Sequence, residues 1–413
     1  MLKMEETIFV PPPEKLKKVN LPEDMANVGF NIKDLEIYAI SDPRLKENRT
    51  AEHSFPSASF IRVVFPFETN EATKLYMIRL DSKGVRIGRL LEIMDLMAGR
   101  VAYFHTCGGF SSKDITIVTA AVDSIQFYPN ELSIERNITL DAYITYAGSS
   151  SMEVRIDVLN HDNKLHCSAY YVMVAREKST GKAKKIPGLR FDLESNPDRA
   201  EIRYHLGKLR QTHRVDKSKN SLFKEPPNSD EIKVLHSVLK DHMDTVPGTD
   251  KLVGPKASEF TPSKMLVPIS STLATKTVLK HVQDRNIHKK IFGGLLMRES
   301  LELAYVCANL QGFIRNPQIF FIDDIYFLKP VDIGSIVRYS ALITYAEGTL
   351  INVKVIVELA RLKNKVLDYD KATEFNMVMR VDERDGEVVP NSYAEAMMYL
   401  EARRRIKQLL DHN

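Results

Sequence analysis

A stretch of this chain returns about 200 residues further on, and that duplication limits the possible folds more than any other feature. Ala142-Tyr-Ile-Thr-Tyr-Ala147 recurs as Ala341-Leu-Ile-Thr-Tyr-Ala346. Each copy is followed by an alternating run, Met152-Glu-Val-Arg-Ile156 in the first and Ile351-Asn-Val-Lys-Val355 in the second. Alternation of apolar and polar residues marks a strand with one face buried. Upstream, Val122 to Phe127 matches Ile322 to Phe327, with Asp123 against Asp323; downstream, Met173-Val-Ala-Arg176 matches Met377-Val-Met-Arg380. The separation is too long for a solenoid and fits a duplicated domain. A chain of 413 residues has room for two such domains, each with a core of its own.

Each copy opens on a glycine-led helix. From Gly88 to about His105, residues such as Leu90, Leu91, Ile93, Met94, Met97 and Val101 cover nearly the whole circumference. The stretch from Gly293-Gly294 carries Leu295, Leu296, Met297, Leu301, Leu303 and Ala304. A helix apolar all round must be enclosed, and the strand-rich sequence that follows is the enclosure at hand. One buried helix wrapped by a curved antiparallel sheet is the hotdog architecture. The expected class is therefore α+β: tandem hotdog domains packed as the two halves of a dimer. We expect an N-terminal extension over 1–57, hotdog domains over 58–183 and 265–390, a linker with short helices over 184–264 and a C-terminal helix over 391–413. Ser229 is the expected N-cap of a linker helix, and Arg403-Arg404-Arg405 reads as a solvated helix face.

Charge and composition exclude several functions. A net charge of +4 from 58 basic and 54 acidic residues leaves no broad footprint for a nucleic acid. Cys107, Cys167 and Cys307 lie far apart and form no CxxC pair, which argues against a zinc knuckle or a disulfide framework and for a reducing compartment. His105, His161, His166 and His281 are scattered, so no metal site is expected and catalysis should need no cofactor. No apolar run reaches the roughly 18 residues of a membrane-spanning helix. The first twenty residues hold Glu5, Glu6 and three prolines but no arginine, unlike an Arg-rich, acid-poor transit peptide.

The segment Asn286-Ile-His-Lys-Lys-Ile-Phe-Gly-Gly-Leu-Leu-Met297 carries the clearest chemistry. It sets an amide and an imidazole in a loop that enters a Gly-Gly pair at the start of a buried helix. Hydrolysis of a thioester turns its carbonyl oxygen into an oxyanion, which preorganised N–H donors stabilise. Glycine lets substrate approach backbone N–H groups, and the helix N-terminus favours negative charge. The plain alternative is that Gly293 and Gly294 only permit a tight turn or close packing. In the first half, Asp95 is a carboxylate on an otherwise apolar helix, where an unpartnered charge is costly. A purely structural acid at the domain interface remains its alternative reading.

Asn286, five intervening residues and Phe-Gly-Gly match the N-x(5)-FGG signature of acyl-coenzyme A thioesterases. With RNIHKKIFGGLLMRESLELAY, FIDDIYFLKPVDIGS and VRIGRLLEIMD, the chain resembles the acyl-coenzyme A thioesterase 9 family over roughly residues 58–180 and 255–402. The resemblance implies hydrolysis of fatty acyl-CoA and a mitochondrial location, with a cytoplasmic one as the alternative. It implies that Asp95, seven residues beyond Gly88, is the base or nucleophile, and that Asn286 of the other domain completes its site. His288 is expected to shape the loop or touch substrate, and Lys289 and Lys290 to meet coenzyme A phosphates.

The halves are unequal. The first lacks the Asn and has Ile87-Gly88 where the second has Gly-Gly; the second has Leu301 at the seventh position and Glu302 only at the eighth. One complete site is expected, with its reciprocal degraded. Asp95 would activate water or attack directly through an anhydride, Asn286 would orient water or carbonyl, and the N–H near Gly294 would hold the oxyanion. Uncovered sheet surface points to a homo-oligomer, a trimer of double-hotdog chains. The competing functions are a non-catalytic acyl-CoA sensor or structural protein, which would lose the acid, and a hotdog hydratase or dehydratase, which would place Asp and His together.

Overall fold

The computed structural model describes residues 9, 11, 13–19, 35–79, 84–109, 112–128, 132–217, 226–243, 265–284, 291–363 and 366–411. Two buried helices organise it. Helix α1 (Ile87–Cys107) ends at Gly108, whose φ of 70° places it in the left-handed region while its N–H donates to the Phe104 carbonyl. That cap is one that glycine adopts without strain. Helix α4 (Gly293–Asn309) is the counterpart. Their starts are 206 residues apart and their ends 202, so α1 is longer by four residues, about one turn. Near the C-terminal end the two copies come back into step. The Ile117 N–H donates to the Tyr103 hydroxyl, and the Ile319 N–H to the Tyr305 hydroxyl, both at 3.1 Å.

The sheet bears out the duplication. In the first half β3 (Ile61–Phe65), β4 (Ile115–Val122), β5 (Ile125–Phe127), β6 (Ile138–Ala147), β7 (Ser151–Leu159) and β8 (Leu165–Glu177) wrap α1. Their counterparts are β9 (Ala274–Leu279), β10 (Gln318–Ile322), β11 (Ile325–Tyr326), β12 (Ile336–Glu347), β13 (Leu350–Lys363) and β14 (Val366–Arg380). The pairing β6-β7 shifts register between Ile144 and Tyr146, and β12-β13 does so between Ile343 and Tyr345, so even the local irregularity is repeated. The two halves join edge to edge: β5 pairs antiparallel with β10, matching Ile125 with Ile322, and β4 pairs with β11, matching Val122 with Ile325. The result is one 14-stranded antiparallel sheet curved around two helices. Buried residues such as Leu90, Met94, Val101, Leu301 and Ala304 have at most 1% of their surface exposed, as an all-round apolar helix requires.

The helices expected in the linker and at the C-terminus are present, and two features of their setting and of the N-terminal extension go further than the sequence reading. Residues ahead of the first domain add strands β1 (Leu16–Lys18) and β2 (Glu36–Ile40) to the sheet, β2 pairing with β3. Each domain is also followed by a helix laid across its sheet, α2 (Pro197–Lys217) after the first and α5 (Tyr393–Asp411) after the second. Tyr204 packs on Tyr146 with ring centroids 5.2 Å apart, and Tyr399 on Tyr345 at 4.8 Å. Arg214 of α2 donates to Asp123 at 2.5 Å, and Arg405 of α5 to Asp323 at 2.6 Å. The arginine run of the terminal helix is therefore more than a solvated face. Arg405 bolts the helix to its domain, and Arg404 pairs with Glu231 of α3 (Ser229–Met243) at 2.7 Å.

Candidate active site

Asp95 lies midway along α1 with 5% of its surface exposed. Its burial follows from helical period: on an all-apolar helix every position faces protein. Both carboxylate oxygens are held. The Thr119 hydroxyl of β4 donates to Oδ1 at 2.7 Å, and the Gly294 N–H at the start of α4 donates to Oδ2 at 2.7 Å. Burial pushes the Asp95 carboxyl above its ordinary range; the two hydrogen bonds oppose this and the neighbouring Glu92 charge adds to it. A carboxylate poised this way is a stronger base than an exposed aspartate.

Gly294 is fixed by the crossing of the helices. A Cβ there would stand 2.8 Å from Asp95 Cβ and 2.9 Å from Glu92 Cα, too close for either backbone to absorb. At Gly293 a Cβ would stand 2.8 Å from Phe327 Cζ. The glycines thus bring the N-terminus of α4, with its partial positive charge, against the carboxylate of the other domain. The Gly294 N–H, expected as an oxyanion donor, donates instead to the Asp95 carboxylate. Asn286, His288, Lys289 and Lys290 lie outside the described residues. Ile291, Phe292 and Gly293, which follow them, border the same cavity of about 610 Å³ as Asp95.

The rest of the interface is ion-paired. Glu92, 5% exposed, accepts from Arg89 at 2.8 Å and lies 3.1 Å from Arg298 of α4. At the reciprocal position Leu301 is fully buried, and Glu302 accepts from Arg86 at 2.6 Å. A second cavity of about 960 Å³, bordered by Ile87, Phe127, Tyr305 and Ile319, repeats the setting of the first without a helix carboxylate in its wall. Cys307 is poorly suited to be a nucleophile. Burial pushes the Cys307 thiol up to about 12, and its Sγ donates to the Thr272 carbonyl at 3.2 Å. Among the described residues no group of His, Cys, Asp and Glu is placed to hold a metal, and no helix is long and apolar enough to cross a membrane.

Sequence reasoning missed Thr119. It sits on β4, and no spacing relates it to Asp95, 24 residues earlier; its part emerges only when the strand is wrapped on the helix.

A buried carboxylate held between two hotdog domains, at the N-terminus of the partner helix and beside a cavity, defines a double-hotdog thioesterase class. Comparisons with known proteins narrow this. Over 361 residues, 85% of this chain and 78% of the relative, the sequence is 31% identical to the mitochondrial acyl-coenzyme A thioesterase 9 of Bos taurus. It is 29% identical to the Homo sapiens protein of that name over 85% of this chain and 77% of the relative. A chloroplastic acyl-coenzyme A thioesterase 2 of Humulus lupulus is 25% identical over 84% of this chain and 80% of the relative. The chain belongs to the acyl-coenzyme A thioesterase 9 family of thioester hydrolases. No family model matches it. Among solved structures, 12:0-ACP thioesterase from Umbellularia californica aligns with a TM-score of 0.45 at 10% identity, over 78% of this chain and 95% of that one.

Proposed function

We propose that this protein hydrolyses fatty acyl-CoA to fatty acid and coenzyme A at one site per chain, with Asp95 as general base toward water. The observation that carries the reading is the Asp95 carboxylate, buried yet bordering a cavity, and gripped by Thr119 and Gly294 from two different domains. Thr119 Oγ–H and Gly294 N–H fix its orientation, leaving the remaining lone pairs of its oxygens for the proton of an attacking water. The water oxygen bonds to the thioester carbon while Asp95 takes its proton. The tetrahedral intermediate then expels the coenzyme A thiolate, which takes the proton held by Asp95, so that the acid is released and the carboxylate is restored. Asn286 is assigned the carbonyl or the water by its N-x(5)-FGG spacing, and the positive end of α4 supplies a field that favours the developing oxyanion. His288, Lys289 and Lys290 are assigned to the substrate side of that loop. We further propose a mitochondrial setting, as the names of the bovine and human relatives indicate, and assembly as a trimer of double-hotdog chains. The test is thiol release from acyl-CoA esters from acetyl to palmitoyl. Flat traces for every chain length would replace the enzyme with a non-catalytic acyl-CoA binder.

A further inference from the structure

Glu92 lies four residues beyond Gly88 on α1, and Arg298 four beyond Gly294 on α4, so the two are one position of the duplicated helix. The helices rest on each other at these places. A Cβ on Gly294 would stand 2.9 Å from Glu92 Cα, and a Cβ on Gly88 3.1 Å from Arg298 Cγ. The shared position thus faces itself across the seam between the domains. In a dimer of identical domains like would meet like there, because a twofold axis presents the same patch from both sides. The duplicated chain instead sets a glutamate against an arginine, with Arg298 Nε 3.1 Å from Glu92 Oε2.

Stability alone does not explain this bridge. Its side chains are 7% and 13% exposed, and charges so buried gain little over apolar packing. Arg89, over the Tyr76 ring of the short helix Glu71–Met77, donates to Glu92 at 2.8 Å, and Arg298 donates to Glu299 at 3.0 Å. Lys276 of β9 pairs with Glu299, so opposite signs alternate from α1 over α4 to the sheet. The place of the bridge gives it a use. Glu92 is one turn before Asp95 on α1, and Arg298 one turn after Gly294 on α4. The bridge and the hydrogen bond of 2.7 Å from Gly294 to Asp95 are therefore neighbouring rungs between the same two helices.

We propose that Glu92 and Arg298 are positioning residues for Asp95: their bridge fixes the height at which the Gly294 N–H meets the carboxylate, and it sets one negative charge on the α1 side of the seam, a turn from the base. The inference rests on the general-base reading of Asp95 above and deepens it. The Glu92 charge pushes the Asp95 carboxyl up, beyond the effect of burial. Arg298 and Arg89 keep Glu92 ionised against the cost of its own burial. Glu302 and Tyr76 are the other titratable groups about Glu92, and Tyr171 of β8 stands by Asp95 as a neutral hydroxyl, its ionisation pushed well up by burial.

The test is the pH profile of kcat/KM for thiol release. Glu92→Gln keeps the shape and removes the negative charge, so the acid limb should move down; Arg298→Gln removes the compensating cation, so it should move up. In both, kcat should fall about threefold to tenfold as the base loses its alignment. Arg298→Lys, which keeps the charge and loses the planar fork, should lower kcat with the limb in place. Glu302→Gln, which cuts the other bridge between these helices, to Arg86, should leave limb and kcat near their wild-type values. A limb unmoved in both Gln variants, with only the melting temperature lowered, makes the bridge structural and overturns the proposal. Undiminished kcat in Asp95→Asn overturns the general-base reading, and this one with it. Carbon-13 NMR of the aspartate carboxyls, with the Asp95 signal assigned by its loss in Asp95→Asn, needs no substrate. Asp95 titrating lower in Glu92→Gln and higher in Arg298→Gln supports the proposal, and the same titration in both variants and the wild type overturns it.

Discussion

Replacing Asp95 by Asn separates activity from stability, because the site holds the carboxylate with two donors of different kinds. The Gly294 N–H can only donate, so the new amide must turn its oxygen toward it; the amide nitrogen then faces Thr119, whose hydroxyl rotates and accepts. Both hydrogen bonds survive, and the buried charge is gone. Burial raises the folded-state pKa of Asp95, so the native wild type holds more protons than the unfolded chain between the two values and loses stability as pH rises through that interval. The Asn variant escapes that loss. It should match the wild type in acid and equal or exceed it in melting temperature at neutral pH. Activity moves the other way. Loss of a general base should lower kcat by roughly a hundredfold or more, about 2.7 kcal/mol of barrier. The assays are thiol release at saturating acyl-CoA and thermal melts on the same preparation. A melting temperature clearly below the wild type would mean that one donor was left unsatisfied, at about 1–3 kcal/mol, and would refute the assigned geometry. Retained activity would refute the role.

Other consequences follow from the same contacts. The acid limb of kcat/KM should lie above the ordinary aspartate value of about 3.9, and Thr119→Val, which removes a donor to the charged form, should move it higher while Thr119→Ser leaves it in place; a pH profile of all three proteins checks this. Gly294→Ala should destabilise by about 1–3 kcal/mol and reduce kcat, since its Cβ must force the helices apart at Asp95 and Glu92; urea melts measure the first effect. Glu302→Gln, in the half that has Leu301 at the position matching Asp95, should change kcat only slightly, and a loss as large as that of Asp95→Asn would mean the wrong half was assigned. Arg214→Leu, which strands Asp123 beneath α2 while Arg210 still pairs with Glu153, should cost about 3 kcal/mol in urea unfolding without changing KM.

The duplication and the two enclosed helices could be read from the sequence because they are local patterns, a strand of period two and a helix apolar on all sides. Asp95 was legible for the same reason: a carboxylate amid Leu96, Met97 and Ala98 breaks the pattern and demands a partner. Which partner it takes is a matter of distance in the chain. The Gly294 N–H that holds it is 199 residues away, and the Thr119 hydroxyl reaches it only because β4 wraps α1. The glycine pair likewise looked like an anion site, and the crossing of α1 over α4 gives the Gly294 N–H to the Asp95 carboxylate. Arg404 and Arg405 looked solvated along their own helix, since helical period says which face a residue is on but not what lies opposite. Their acceptors are Glu231 and Asp323, 173 and 82 residues earlier. Local sequence thus determined the elements and the unusual residues within them. Tertiary packing alone decided which donors meet which acceptors, because hydrogen bonds and ion pairs depend on a few ångströms that residue spacing does not encode.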